Sequence, residues 1–136
     1  MLLKQAFQLV SPGGSKGHLS ILIFHRVLPV PDPLFPDEPD VARFEQIACW
    51  LKEWFNVLPL NEAVLRLQRG NLPPRAAAIT FDDGYADNLT CAQPILRKHG
   101  LPATFFIATG FLDGGRMWND TIIESVRGAA LPEIDG

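Results

Sequence analysis

The sequence has little of what builds metal clusters and disulfides. Its 136 residues include two cysteines, three histidines and one tyrosine. Cys49 and Cys91 make no Cys-x-x-Cys pair, which speaks against a cysteine-based metal site, and two cysteines so placed give no ground for a disulfide. Both fall in helix-like stretches and read as small buried hydrophobes. No apolar run is long enough to span a bilayer. The apolar start, Met1 to Val10, is broken by Lys4 and Gln5, and no small-residue cleavage site follows. It therefore reads as an amphipathic start and not as a secretion signal, with a cytoplasmic location as the default expectation. Positive charge is not in excess either. The formal net charge is −3, which argues against a general nucleic-acid or anionic-membrane binder. A phosphate-cradling glycine loop, an Asp-x-Asp spacing and an internal repeat are all missing.

What is present describes an ordinary globular chain. Hydrophobic residues make up 47% and charged residues 20%, and the length suits one domain. Apolar runs alternate with helix-period stretches. Strands are expected at Leu19–Phe24, Phe55–Leu58, Ala77–Phe81 and Ala103–Ala108, the first and last as buried runs. Between them, Asp40 is placed to cap a helix whose apolar face is Val41, Phe44, Ile47, Ala48, Leu51 and Trp54. Asn61 is placed to cap a second helix that ends at Gly70. A third helix should firm up near Pro94, after a looser turn from Asp87, and stop at Gly100, leaving His99 at its C-terminus with no catalytic role. Asn119 or Asp120 should open a last helix. Pro29 to Pro39 is too rich in proline for a helix and reads as an extended loop, either lining a groove or passive. The repeated strand–helix order predicts an α/β fold with parallel strands, in a sheet or barrel.

One stretch concentrates the chemistry. Ala76-Ala77-Ala78-Ile79-Thr80-Phe81 is apolar enough for a strand buried on both faces, and it ends in Asp82-Asp83-Gly84-Tyr85. In parallel α/β folds ligands bind at the C-terminal mouth of the strands, which is where this pattern puts two carboxylates. Adjacent carboxylates repel, and a cation is the usual relief. One of them can then ligate a metal while the other takes a proton. Helix capping with surface charge is the plain alternative. His25, just past the first strand, reads as a packing or hydrogen-bonding residue near the strand end or as a substrate contact. Tyr85 is placed to line the cleft. Trp118 reads as a hydrophobic anchor or as a stacking platform for a sugar.

Thr80-Phe81-Asp82-Asp83-Gly84 behind an apolar strand resembles the first motif of the polysaccharide deacetylase family. Leu22-Ile23-Phe24-His25-Arg26-Val27 resembles the first strand of its bacterial exopolysaccharide branch, and Leu101-Pro102-Ala103-Thr104-Phe105-Phe106-Ile107 the strand after the aspartate motif. The resemblance implies a parallel (β/α) barrel of which only the N-terminal half is present, with residues 1–18 as an extension and 19–136 as the N-terminal portion of the domain. It implies Asp82 as the catalytic base and Asp83 as a metal ligand, with His25, Gly84, Tyr85 and Trp118 lining the site. The implied cofactor is a divalent metal, zinc first, with cobalt, nickel or manganese as alternatives. The implied substrate is an acetylated polysaccharide, and many relatives are exported.

The family's second motif is a histidine pair separated by three residues, which supplies the other two metal ligands. His18, His25 and His99 form no such pair, and the later motifs with their arginine, tryptophan and general-acid histidine are also missing. The site implied for this chain is therefore incomplete, and the chain alone is expected to be inactive. An open half barrel is also expected to self-associate. Two competing readings remain at this level. One is a non-catalytic, glycan-binding relative. The other is a Mg²⁺-dependent phosphoryl-transfer domain, which also uses strand-end aspartates.

Overall fold

The protein was analysed as a computed structural model that describes residues 7–129. Its centre is β3, Ala76–Phe81, in which all six residues are buried. β1, Leu19–Phe24, runs parallel along one side in continuous register, from Leu19 opposite Ala76 to Phe24 opposite Phe81. The other side of β3 is shared. β2, Asn56–Val57, pairs with Ala76 and Ala77, and β4, Thr104–Phe105, pairs with Thr80 and Phe81. The pairings among these four strands are all parallel, as the strand–helix order predicts, and the described elements form part of a (β/α) barrel wall.

Helices α1, Val41–Trp54, and α3, Gln93–His99, cover one face of this sheet. Asp40 caps α1 as expected, its carboxylate accepting from the Arg43 N–H at 2.7 Å. Phe44, Ala48 and Leu51 of α1 meet Ile79 and Phe81 of β3 and Ile95 and Leu96 of α3 in the core, together with Val27 and Ala92. Phe24, Phe44 and Phe81 pack ring against ring, with centroids 5.3–5.8 Å apart. α2, Leu60–Gln68, follows β2 and contacts β3.

The turn before α3 is looser, as Pro94 requires. Asn88–Ala92 winds as a π-helix, and Pro94 sits in the first turn of α3, where its missing N–H leaves no bond unmade. Gly100 ends α3 with φ 66°, a left-handed cap that a Cβ would strain.

Several expectations are corrected. β1 is not a buried strand. Leu22 and Phe24 face the helices, but Ile21 and Ile23 on the other face are 48% and 60% exposed, because no described element covers that side. The fourth strand is two residues long, not six: it pairs with Thr80 and Phe81, the last two residues of β3, and the ladder stops where β3 ends. Asn61 is not the cap of α2. That helix starts at Leu60 behind Pro59, whose carbonyl accepts from Ala63 N–H at 2.9 Å. The last helix, α4, spans Trp118–Arg127, with Met117 at its N-cap and no side-chain cap, so Asn119 and Asp120 lie inside its first turn. Cys49 is exposed on α1 and Cys91 is half-buried, both as free thiols. Among the described residues, no helix is long and apolar enough to cross a membrane.

Candidate active site

The carboxylate pair stands at the C-terminal end of the most buried strand. Asp82 is still on the ladder, its N–H donating to the Phe24 carbonyl at 2.9 Å. The chain then turns sharply through two left-handed residues, Asp83 at φ 72° and Gly84 at φ 73°. Gly84 N–H closes the turn onto the Asp82 carbonyl at 2.9 Å. Its φ favours glycine there, and a Cβ would lie 2.9 Å from Ile107 Cδ1, so that side chain would have to shift. Aspartate is among the few other residue types that visit the left-handed region with any frequency. The stretch after β4 locks the turn from the other side. Phe106 N–H donates to the Phe81 carbonyl at 2.8 Å, and Ala108 N–H to the Asp83 carbonyl at 3.4 Å.

Asp83 lines a cavity of about 240 Å³ together with His25, Arg26, Glu38, Tyr85 and Asp120. Arg26 organises one wall. Its Nε donates to Asp87 Oδ2 at 2.8 Å, and its guanidinium lies 4.6 Å from the centre of the Tyr85 ring. Asp87 is buried, and its other oxygen receives the Val27 N–H at 3.5 Å, so the pair ties the end of β1 to the start of the π-helix. The Tyr85 hydroxyl donates to Asp120 Oδ1 at 3.1 Å. Burial pushes this hydroxyl above its ordinary value of 10.0, and the Asp120 and Asp83 carboxylates push it the same way, against a hydrogen bond with Asn119. It is a neutral donor at physiological pH. The loop from Pro29 to Pro39 is not passive: it brings Glu38 to the cavity, and its Asp32 pairs with Arg127 of α4 at 2.6 Å.

Of the residues singled out from the sequence, Asp83, His25 and Tyr85 converge on this cavity. Asp82 is the immediate neighbour of Asp83, half-buried, and does not line that cavity. Gly84 lines an adjoining apolar pocket with Tyr85, Phe105 and Ile107. Trp118 is 76% exposed, so it is no hydrophobic anchor, and it does not line this cavity; the next residues on α4, Asn119 and Asp120, reach it instead. Arg26, Glu38, Asp87 and Asp120 were not expected in a site. Arg26 and Asp87 are 61 positions apart, and no local pattern signals such a pair. Asp120 carried a signal, but one that also fits a helix cap.

A catalytic zinc ordinarily takes three protein ligands and a water. Asp83 brings one carboxylate to the cavity. Among the described residues, the His, Cys, Asp and Glu side chains close enough to share an ion in a group of three are Glu45, Cys49 and His99, which line no part of this cavity. The donors present beside Asp83 do not make up a zinc set by themselves.

Comparison with known proteins is consistent along most of the chain. The family described as polysaccharide deacetylase matches residues 69–127. The Bacillus subtilis (strain 168) protein YxkH is 35% identical over 91 residues, which cover 65% of this chain and 31% of that one. The poly-β-1,6-N-acetyl-D-glucosamine N-deacetylase of Staphylococcus aureus (strain MSSA476) is 39% identical over 70 residues, 51% of this chain and 24% of that one. The solved structure of IcaB from Ammonifex degensii superposes with a TM-score of 0.62 at 28% identity, covering 79% of this chain and 43% of that one. The matches thus span less than a third of the length of these two relatives.

Proposed function

This chain belongs to the polysaccharide deacetylase family, and we propose that it supplies the general base and one metal ligand for removal of acetyl groups from an N-acetylated amino-sugar polysaccharide. The observation that carries this reading is the Asp82–Asp83 pair at the mouth of β3, with Asp83 held in a left-handed turn beside His25 and Tyr85. Asp82 acts as the base that takes a proton from the attacking water. Asp83 is one ligand of a divalent ion, zinc first, with cobalt, nickel or manganese as alternatives. Such an ion supplies Lewis acidity at an acetyl carbonyl. The remaining ligands are not in this sequence, which has no His-x-x-x-His, so the chain's own part ends at the base, one ligand and the wall of the cleft. His25 and Tyr85 form that wall, and the Pro29–Pro39 loop borders the sugar. Residues 19–136 are the N-terminal portion of the catalytic domain. Residues 1–18 precede it as an extension, whose Ser11 carbonyl accepts from Arg75 N–H at 3.0 Å. The uncovered face of β1 is a contact surface through which the chain self-associates.

The test is acetate release from an acetylated glucosamine oligomer with added Zn²⁺ or Co²⁺. It compares this chain with a version extended by the histidine-bearing part of a relative. The extended version should turn over, and Asp82→Asn should abolish turnover while metal stays bound. Asp83→Asn should instead weaken metal binding. Metal-dependent release by the 136-residue chain alone would overturn the incomplete site. An inactive extended version that binds the oligomer without metal would favour a glycan-binding module instead.

A further inference from the structure

A second group of ligand-type side chains lies on the helical layer. Glu45 and Cys49 are four residues apart on α1, so they project from one face, one turn from each other. His99, the last residue of α3, points at both. Its Nε2 lies 2.5 Å from Glu45 Oε1 and 3.9 Å from Cys49 Sγ, and the three atoms fall within 4.8 Å of one another. The imidazole is held, with its side chain 12% exposed, while Cys49 is open to solvent.

Proton counting makes this arrangement unusual. One ring nitrogen carries at most one proton. If Nε2–H donates to Glu45, nothing is left for the thiol to donate into. If Nε2 is bare, it accepts from the thiol but faces the carboxylate oxygen lone pair to lone pair. A cation in the place of that single proton satisfies oxygen, sulfur and nitrogen together. We propose that Glu45, Cys49 and His99 form a separate site for a thiophilic divalent ion of the zinc class, stapling α1 to the end of α3. Imidazole, thiolate and carboxylate are the donors such ions take, with a water in the fourth place. Metal–ligand lengths of about 2.0–2.3 Å place tetrahedral donors roughly 3.3–3.6 Å apart. Closing on an ion thus asks Glu45 and His99 to part by about 1 Å and Cys49 to approach His99 by less. Lys98, which also donates to Glu45 Oε1 at 2.9 Å, is the one cation on this cluster in the described contacts, and its exposed side chain is free to swing aside.

The place of the group in the fold says what such an ion does. His99 also lines a cavity with Asn56 and Val57 of β2, and Asn56 pairs with the first residue of β3, whereas Asp82 follows its last. Six strand residues at about 3.3 Å each separate the two ends. An ion here is remote from the carboxylate pair and ties helices. It does not act on substrate.

Cobalt is the probe, because a thiolate bound to Co²⁺ gives a near-ultraviolet charge-transfer band. The full chain titrated with Co²⁺ should show this band at one equivalent, and excess Zn²⁺ should displace it. Cys49→Ser should abolish the band. His99→Gln and Glu45→Gln should each weaken Co²⁺ binding by more than the roughly tenfold that even an outer-shell change costs. Cys91→Ser and Asp83→Asn should leave the band intact, which separates this site from the proposed deacetylase ligand. Zn²⁺ should raise the unfolding temperature of the wild type but not of Cys49→Ser. A missing band, a band that survives Cys49→Ser, or one lost in Cys91→Ser overturns the proposal.

Discussion

Asp83 shows how a single residue can hold strain for a purpose. A non-glycine residue at φ 72° is uncommon, and such conformations persist only where the surroundings enforce them. Here the enforcing contacts are the Ala108 N–H on its carbonyl and Ile107 against Gly84. Asp83→Ala should therefore lower stability by about 1 kcal/mol, because Ala has less tolerance than aspartate for positive φ. Asp83→Gly should be neutral or slightly stabilising. Urea unfolding of the two variants checks this, and an equal loss in both would mean that the carboxylate, and not the backbone, matters for stability. Glu45 gives a second prediction at this scale. A hydrogen bond from Lys98, and then one from His99, hold its carboxyl below the ordinary value of 4.5. A depressed folded value stabilises the fold above the unfolded value, and that stability is lost as pH falls through the folded one. Urea midpoints should drop on acidification below about 4.5 less steeply in Glu45→Gln than in the wild type. The difference should shrink in high salt, because Glu45, Lys98 and part of His99 face solvent.

Among the elements, α1 is the best specified. Its cap, its apolar spacing and its end all agree, and Asp40→Ala should cost about 1 kcal/mol. Thermal unfolding of that variant measures it, and no change would mean that the Leu28–Asp40 bridge carries the helix start. α1 and β3 were legible in the sequence for the same reason: a period or an unbroken apolar run held over several residues fixes the state of each locally. α3 was legible because Pro94 and Gly100 act through their own backbone. The start of α4 was not, since Asn119 and Asp120 are good caps by type, yet the chain enters the helix before them at Met117. β4 was not either. Its apolar run from Ala103 to Ala108 suits a six-residue strand, but a strand needs a partner, and in this register β3 ends one residue after Thr104 meets Thr80.

For the molecule as a whole, β1 is covered on one side only among the described residues. α1 and α3 bury Leu22, Phe24, Ile79 and Phe81, while Ile21 and Ile23 stay in water. Apolar area of that kind, beside an unpaired strand edge among the described residues, drives association. The chain should show concentration-dependent self-association in light scattering, and Ile23→Lys should shift it toward monomer. A monomer at every concentration, unfolding cooperatively, would tell against this.

What the sequence determined by itself was the central strand, the carboxylates at its end, the glycine that follows them and the capped helix α1. Each depends on residues within a few positions of one another, where sterics and hydrogen bonding act directly. The tertiary structure decided the rest. It set which face of β1 is covered, how Arg26 finds Asp87, that Asp120 and not Trp118 reaches the cavity, and that Glu45, Cys49 and His99 meet. The physical reason is that these contacts join side chains 35 to 61 positions apart, and only the packing of separate elements brings them into reach. No local pattern carries that information, because the energy that selects it is the burial of a core shared by all of them.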